Sequence, residues 1–389
     1  MFNLSTEELE KLGALNTTRE IRQQPKLWRE VLETIESKRD TIEAFLNNIK
    51  EKHDSVKVIF TGAGTSAYVG ETLLPQIMKT QEDLSWEYLD VPTTDLVTNP
   101  TVYFKASQPT LLVSYARSGN SPESVATVKL AQQLVSDLYQ ITITCSKEGQ
   151  LAKNSHGDDK NLLLLQPELS NDLGFAMTGA FSCMYLTSLL IFDNRSFEQK
   201  KAWVEQMIET TEGIFDKEAQ IQALVDQNVE RVVYLGSGVF FGLAHETQLK
   251  ILELTAGAKS TLYESVLGFR HGPKSIVNDQ TAIILYQSEE PYARQYEIDL
   301  MAEIAADKIA KSMIVVGGKN PEIEGFNHFE IALSDKVEEG YLVLPYVVFG
   351  QAYALLSSVS VDNTPDTPSK TGTVNRVVKG VTIHPFENR

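Results

Sequence analysis

The chain has 389 residues, of which 42 % are hydrophobic and 22 % are charged, a composition typical of globular proteins. This composition excludes a collagen, a disulfide-stabilised scaffold and an intrinsically disordered chain. The 35 basic and 52 acidic residues give a net charge of −17 at pH 7, which repels nucleic-acid phosphates. We therefore expect no nucleic-acid partner, although a local group of backbone N–H donors can still bind a small anion.

The cysteines and the N-terminal residues bear on the cellular compartment. Cys145 and Cys183 each lie in an apolar stretch without metal-ligand spacing, which predicts free thiols in a reducing compartment. The first residues lack the basic start and the apolar core of a signal peptide, and we find no run of about 18 apolar residues. The sequence therefore predicts a cytoplasmic protein that does not bind a membrane.

Residues 1–50 are predicted to be helical. Apolar side chains recur at spacings of three, four and seven between Trp28 and Ile49, with charged residues between them. Pro25 suits the first turn of such a helix, where a missing backbone N–H costs nothing. From Val56 onward, short apolar runs alternate with Gly-rich or Ser-rich turns and helical segments, which predicts a parallel sheet covered on both faces. The first predicted strands are 56–60, 110–114, 139–143 and 161–165.

The same succession of elements occurs twice. The Gly-x-Gly turn at 62–64 returns at 236–238. The later strands and the apolar helix 175–192 have counterparts in the same order, at 282–286, 313–316, 328–331 and 341–359. Matches in one order predict two tandem copies of an α/β domain, each a parallel five-stranded sheet flanked by helices. The predicted organisation is a helical segment at 1–50, a first domain at 51–205 and a second at 206–389, with a connecting helix at 197–228.

Glycine and hydroxyl residues follow two strands of the first copy, at 62–66 and 116–123. The glycines permit tight turns, and each following helix presents unpaired N–H groups at its N-terminus. Ordinary βα turns with capped helices have the same composition. Because ligands bind at the carboxyl ends of parallel strands, two such loops at neighbouring strand ends favour a phosphate site.

The second copy carries charged residues and a histidine instead. Glu246, Lys250 and Glu253 lie on one stripe of a predicted helix, either as a solvated ion-paired face or with Glu253 as a general base. His271 lies on a loop between Arg270 and Lys274, two cations that favour the neutral imidazole. A neutral imidazole can move a proton between a sugar hydroxyl and the ring oxygen, although an ordinary loop histidine has the same pattern. No second His or Cys has ligand spacing, so we expect no metal.

The paired loops resemble the phosphate loops of the sugar isomerase (SIS) domain. Two such domains in tandem resemble the isomerase half of glucosamine-6-phosphate synthase. The segments that carry the likeness are 19–25, 62–66, 117–121, 246–253, 270–273 and 375–382. Together with 267–274, this combination resembles the galactosamine-6-phosphate deaminase/isomerase group, also described as tagatose-6-phosphate ketose/aldose isomerases.

The resemblance implies a role for each matching residue. The 6-phosphate ligands are Gly64, Thr65, Ser66, Arg117, Ser118 and Ser121. His271 opens the sugar ring, and the family architecture implies that it serves the neighbouring subunit of a homodimer or larger homo-oligomer. Glu253 moves the proton between C1 and C2, and Lys379 contacts the open-chain sugar or forms an imine with it. We expect no metal or redox cofactor, because an aldose–ketose shift is proton transfer alone.

This chain also departs from the family pattern. We find no glutaminase domain, so we expect no glutamine-dependent amination. Ala116 stands where the family has a serine, Arg117 replaces a glutamine, and residues 177–181 differ from the run that lines the sugar pocket. The expected activity is conversion of D-galactosamine 6-phosphate to D-tagatose 6-phosphate and ammonia. A plain tagatose 6-phosphate isomerase, a sugar-amine phosphate deglycase and a non-catalytic sugar-phosphate sensor remain alternatives.

Overall fold

A computed structural model describes residues 1–334, 336–378 and 380–387. The chain forms two compact units, each built around one sheet. The unit that we call the first domain comprises Leu27–Asp172, Gly179–Phe197 and Gly372–Arg389. The second domain comprises Met1–Lys26, Leu173–Thr178 and Glu198–Thr371. The boundaries at 50/51 and 205/206 stay a prediction from the sequence.

The N-terminal segment is helical, as predicted. It contains α1 (Thr6–Lys11), α2 (Leu15–Arg22) and α3 (Gln24–Lys52). Ser5 and Glu8 form a capping box at the start of α1, which satisfies two backbone N–H groups that the first turn leaves unpaired. Pro25 lies in the first turn of α3, where its missing N–H costs no hydrogen bond.

The first domain contains a five-stranded parallel sheet. Its strands are β1 (Val56–Thr61), β2 (Trp86–Asp90), β3 (Thr110–Ala116), β4 (Leu138–Thr144) and β5 (Asn161–Leu165), in the spatial order β2-β1-β3-β4-β5. The residues of β1, β3 and β4 are buried throughout, which explains their predominantly apolar character. The helices are α4 (Thr65–Thr80), α5 (Thr93–Thr98), α6 (Pro100–Tyr103), α7 (Pro122–Leu134), α8 (Gln150–Ser155) and α9 (Gly179–Phe192).

The second domain repeats this topology, so the prediction of two copies is confirmed. The helices α10 (Phe197–Phe215) and α11 (Glu218–Val225) precede its sheet, so two helices form where one connecting helix was predicted. Its strands are β6 (Arg231–Leu235), β7 (Ser260–Glu264), β8 (Thr281–Tyr286), β9 (Ser312–Gly317) and β10 (Asn327–Glu330). Their spatial order, β7-β6-β8-β9-β10, matches that of the first sheet strand for strand. The remaining helices are α12 (Val239–Leu254), α13 (Pro291–Asp307) and α14 (Glu339–Ser360).

Helix α14 bears on the expectation that the sequence contains no apolar stretch long enough to span a membrane. Within the described part of the chain, it is the one helix that is long and apolar enough to cross a membrane. The fold buries 94 % of that stretch. Burial on all sides explains its apolar composition, because a helix that is hydrophobic all round is typical of a protein core.

Candidate active site

The two predicted phosphate loops begin at adjacent strand ends of the first domain. The strand order changes direction between β1 and β3, and such a switch point is where open parallel sheets bind ligands. Thr61 near the end of β1 pairs in register with Ser114 near the end of β3. The loops 62–64 and 117–121 therefore leave the sheet side by side.

The first loop is a tight glycine turn into α4. Gly64 has φ +56° and ψ −132°, a backbone conformation that side-chain-bearing residues rarely adopt. A Cβ on Gly62 would lie 2.5 Å from the Ser66 carbonyl oxygen, so only glycine fits there. The turn brings Thr65 and Ser66 into the first helical turn, where both are largely buried.

The second loop presents neutral donors ahead of α7. The Ser118 Oγ atom accepts a hydrogen bond from the Asn120 N–H over 3.3 Å, which fixes the turn. Ser121 lies at the N-cap of α7, and its hydroxyl makes no capping bond. Within residues 1–334, 336–378 and 380–387, the backbone N–H groups of Ser118 and Gly119 form no hydrogen bond. The loop thus has the donors that an oxyanion requires.

Arg117 joins this loop to the C-terminal segment. Its guanidinium is buried and donates to the carbonyl oxygen of Arg376 over 2.7 Å. The Arg376 Nε atom in turn donates to the Asp172 carbonyl oxygen over 2.8 Å, and the Asp172 carboxylate accepts from the Gly179 N–H at the start of α9. Arg117 therefore holds the chain shortly before Lys379, which itself lies outside the described residues.

A cavity of about 730 Å³ lies beside the second loop. Asn120 and Pro122 line one side of it, and residues 383–386 of the C-terminal segment line the other. The Gln133 side chain on α7 donates to the Phe386 carbonyl oxygen over 3.2 Å, so that segment is fastened to the helix. The volume lies within the range of small-molecule pockets.

The charged stripe on α12 is not a solvated face. The side chains of Glu246 and Lys250 are fully buried, and 23 % of the Glu253 side chain is exposed. Lys250 Nζ lies 2.7 Å from Glu253 Oε2 and 3.5 Å from Glu246 Oε1. Glu253 is thus the one member of this triad that can reach a substrate, and a buried ion pair fixes its position.

His271 is exposed and lies directly after a short 3₁₀ helix, Gly268–Arg270. The neighbouring cations do not act on it as free charges, because Arg270 and Lys274 both form ion pairs with Glu303 on α13. Hydrogen bonds from Lys274 and Arg270 lower the pKa of Glu303.

The chain is similar to proteins of known name over nearly its whole length. A D-galactosamine-6-phosphate deaminase AgaS from Shewanella sp. (strain ANA-3) is 41 % identical to this chain over 384 residues, which span 98 % of this chain and 95 % of the relative. A protein of the same name from Escherichia coli is 39 % identical over 381 residues, 95 % of this chain and 96 % of the relative. The chain belongs to the AgaS family. No family model matches it.

Solved structures agree with membership of the AgaS family. The crystal structure of tagatose-6-phosphate ketose/aldose isomerase from Escherichia coli has a TM-score of 0.86 and 36 % identity, and the match covers 95 % of this chain and 97 % of that one. The C-terminal domain of glucosamine-fructose-6-phosphate aminotransferase from Francisella tularensis has a TM-score of 0.72 at 15 % identity, covering 90 % and 98 % of the two chains. The latter shows the fold alone, that of tandem SIS domains.

Three residues of the candidate site were not singled out from the sequence. Lys250 appeared only as part of an ion-paired stripe, and its complete burial depends on the packing around α12. Asp172 and Arg376 are 204 residues apart, so no local pattern connects them. The sequence contains one signal for Asp172, which is its place seven residues before the start of the apolar helix α9. A carboxylate there can cap the first N–H groups of the helix.

Proposed function

We propose that this chain is a sugar-phosphate deaminase/isomerase that converts D-galactosamine 6-phosphate and water to D-tagatose 6-phosphate and ammonia. The observation that carries the proposal is the 41 % identity, over nearly the whole chain, to a relative named D-galactosamine-6-phosphate deaminase. The site residues predicted from the sequence supply the groups that this reaction needs.

The phosphate of the substrate binds at the two loops of the first domain. The ligands are the hydroxyls of Thr65, Ser66, Ser118 and Ser121, the backbone around Gly64, and the guanidinium of Arg117. The unpaired N–H groups of the second loop support this role, because helix N-termini and open backbone donors favour anions. Anchoring at a distance from the reacting carbons orients C1 and C2 for the proton transfer.

The chemistry begins with ring opening by His271. Its imidazole takes the proton of the C1 hydroxyl and returns a proton to the ring oxygen, which breaks the bond between C1 and that oxygen and leaves an aldehyde. Lys379 contacts the open-chain sugar.

Glu253 then carries the C–H chemistry. Its carboxylate removes the proton from C2, the electron pair forms a C1–C2 double bond, and the C1 carbonyl oxygen takes up a proton from solvent to become a hydroxyl. The same C2 proton then returns to C1 while the amine lone pair forms a C2–N double bond, and the nitrogen releases one proton to solvent. The product is an imine at C2, which water hydrolyses to the ketone and ammonia. The 2.7 Å contact with Lys250 supports this role by fixing the Glu253 carboxylate.

The substrate is tested by assaying ammonia release from galactosamine 6-phosphate and glucosamine 6-phosphate side by side. We expect release from the galactosamine compound, and much slower release from its C4 epimer. A plain isomerase of tagatose 6-phosphate is the second candidate, favoured by the name of the Escherichia coli structure. Turnover of tagatose 6-phosphate without ammonia release from either amine would support that candidate and overturn ours.

We also propose a homodimer or larger homo-oligomer in which His271 serves the partner's site. If so, mixing inactive Glu253→Gln and His271→Ala chains gives heterodimers with one intact site, and about one quarter of the wild-type activity returns. No recovery after subunit exchange would contradict the exchange of His271. The buried free thiols of Cys145 and Cys183 support the cytoplasm as the compartment.

A further inference from the structure

The loop after β8 is the counterpart, in the second domain, of the phosphate loop after β3. In both loops a serine Oγ accepts a hydrogen bond from the N–H two residues ahead. This bond joins Ser118 and Asn120 over 3.3 Å in the first domain, and Ser288 and Glu290 over 3.0 Å in the second. Both loops then enter a helix that begins with proline, α7 and α13 respectively. The second domain therefore retains the backbone geometry of an anion-binding turn.

A side chain of the protein occupies this turn. Glu339, the first residue of α14, directs Oε1 at three donors of the loop. This oxygen accepts hydrogen bonds from the Glu289 N–H over 2.8 Å, the Glu290 N–H over 3.1 Å and the Ser288 hydroxyl over 2.5 Å. Backbone N–H groups ahead of a helix, together with a serine hydroxyl, are the donor set that proteins use for oxyanions.

The first domain lacks such an occupant within the described part of the chain. The N–H groups of Ser118 and Gly119 form no hydrogen bond there. The helices after the glycine turns of the two domains also begin differently, since the hydroxyl residues Thr65 and Ser66 open α4 whereas the apolar residues Val239 and Phe240 open α12. The second domain has thus lost two hydroxyl donors and gained an internal carboxylate.

A buried polar group remains at the same edge of the second sheet. Gln287, which comes directly after β8, is completely buried, and neither atom of its amide has a hydrogen-bond partner among the described residues. Its Oε1 lies 2.8 Å from where a Cβ on Gly317, the last residue of β9, would be. The amide therefore lies at the carboxyl ends of the strands, where the homologous edge of the first domain carries its phosphate loops.

We propose that Glu339 is a built-in anion that fills the ligand cradle of the second domain, so that the chain keeps a single phosphate site, in the first domain. The assignment of the first-domain site rests on the proposed function. The occupation of the second cradle by a carboxylate stands independently of it. As a consequence, the second domain supplies reacting groups and does not compete with the first domain for the phosphate.

Removal of the side chain tests the cradle without any substrate. We expect Glu339→Ala to lower the midpoint of thermal unfolding, and sodium formate to raise that midpoint again by at least about 2 °C relative to sodium chloride at equal ionic strength. Wild-type protein and Glu339→Gln, whose side chains fill the cradle, serve as controls and should not respond. An equal formate effect in all three proteins would overturn the proposal.

A second measurement applies if Glu339→Ala does not fold. Inorganic phosphate binding to the wild-type protein is measured by equilibrium dialysis, with Ser66→Ala as the matched variant. We expect one phosphate for each chain, weakened in Ser66→Ala. Two phosphates for each chain would overturn the filled cradle. One phosphate that Ser66→Ala leaves unchanged would overturn the first-domain phosphate site, which belongs to the proposed function, while the single site would still agree with the filled cradle.

Discussion

Lys250 Nζ lies 2.7 Å from Glu253 Oε2, and the lysine side chain is completely buried whereas the glutamate is partly exposed. A second carboxylate, that of Glu246, lies 3.5 Å from the same nitrogen and is also completely buried. The lysine thus holds one carboxylate that faces outward and one that does not. This arrangement separates the structural part of the triad from the part that can react.

Removal of the buried cation is expected to destabilise the second domain. Lys250→Met leaves the Glu246 carboxylate buried without its cation, which costs about 3–5 kcal/mol of unfolding free energy. The matched control is Lys11→Met, because the Lys11–Glu7 pair is exposed and contributes at most about 1 kcal/mol. Urea denaturation measures both changes. Equal losses in the two variants would contradict the interpretation, and Lys250→Met/Glu246→Gln should recover part of the loss.

The glycine turns of the two domains provide a second prediction. A Cβ would lie 2.5 Å from the Ser66 oxygen at Gly62 and 2.2 Å from the Phe240 oxygen at Gly236, so alanine must displace the helix start in either domain. We expect Gly62→Ala and Gly236→Ala each to lose about 1–3 kcal/mol of stability. Inhibition by inorganic phosphate should weaken only in Gly62→Ala. Equal weakening in both variants would argue against a phosphate site in the first domain alone.

The bond from Arg117 to the Arg376 carbonyl predicts how the C-terminal segment is held. Hydrogen bonds from charged donors contribute about 1.5–3 kcal/mol, so Arg117→Ala should open this segment roughly 10-fold to 100-fold more often. Trypsin cleavage after Arg376, whose side chain donates to the Asp172 carbonyl oxygen, should accelerate by the same factor, and mass spectrometry of the released peptide measures it. Lys129→Ala on α7, a residue without this bond, is the control. An unchanged cleavage rate in Arg117→Ala would show that other contacts hold the segment.

Glu297 predicts a pH dependence of stability. Burial raises the pKa of its carboxyl from 4.5 to about 8, against a hydrogen bond from the Ser288 N–H that lowers it. The folded state therefore binds this proton more tightly than the unfolded state, and the unfolding free energy falls by up to about 1.4 kcal/mol for each pH unit between these two values. Glu297→Gln should flatten the pH profile of the unfolding free energy between pH 5 and pH 8, measured by urea denaturation at a series of pH values. A profile as steep as that of the wild-type protein would assign the dependence to other groups.

The sequence predicts the strands that form predominantly apolar runs, including β5, which is only partly buried. The strands β1, β3 and β4 are predominantly apolar because both faces are covered, and the predicted bounds agree with the observed ones to within about two residues. The edge strands β2 and β7 mix apolar with polar and charged residues, because they are only partly buried, and they have no comparable pattern. The repeat could be predicted because both copies keep the same order of buried strands.

Some residues of the candidate site could be predicted from the sequence, and others could not. The two loops proposed to bind phosphate could be predicted because the glycines and hydroxyls that such a site uses are adjacent in the chain. The contacts that hold the candidate site join distant residues, such as Arg117 with Arg376, 259 positions apart, and Arg376 with Asp172, 204 positions apart. Such pairs depend on the tertiary fold and leave no local periodicity.

The measurement that tests the central claim is ammonia release from D-galactosamine 6-phosphate by the wild-type protein and by Glu253→Gln. The substitution preserves shape and removes the base, so we expect the wild-type protein to release ammonia and the variant to be slower by about 100-fold to 10,000-fold, with inhibition by inorganic phosphate unchanged. Release of ammonia by Glu253→Gln at the wild-type rate would contradict the assignment of the proton transfer to Glu253.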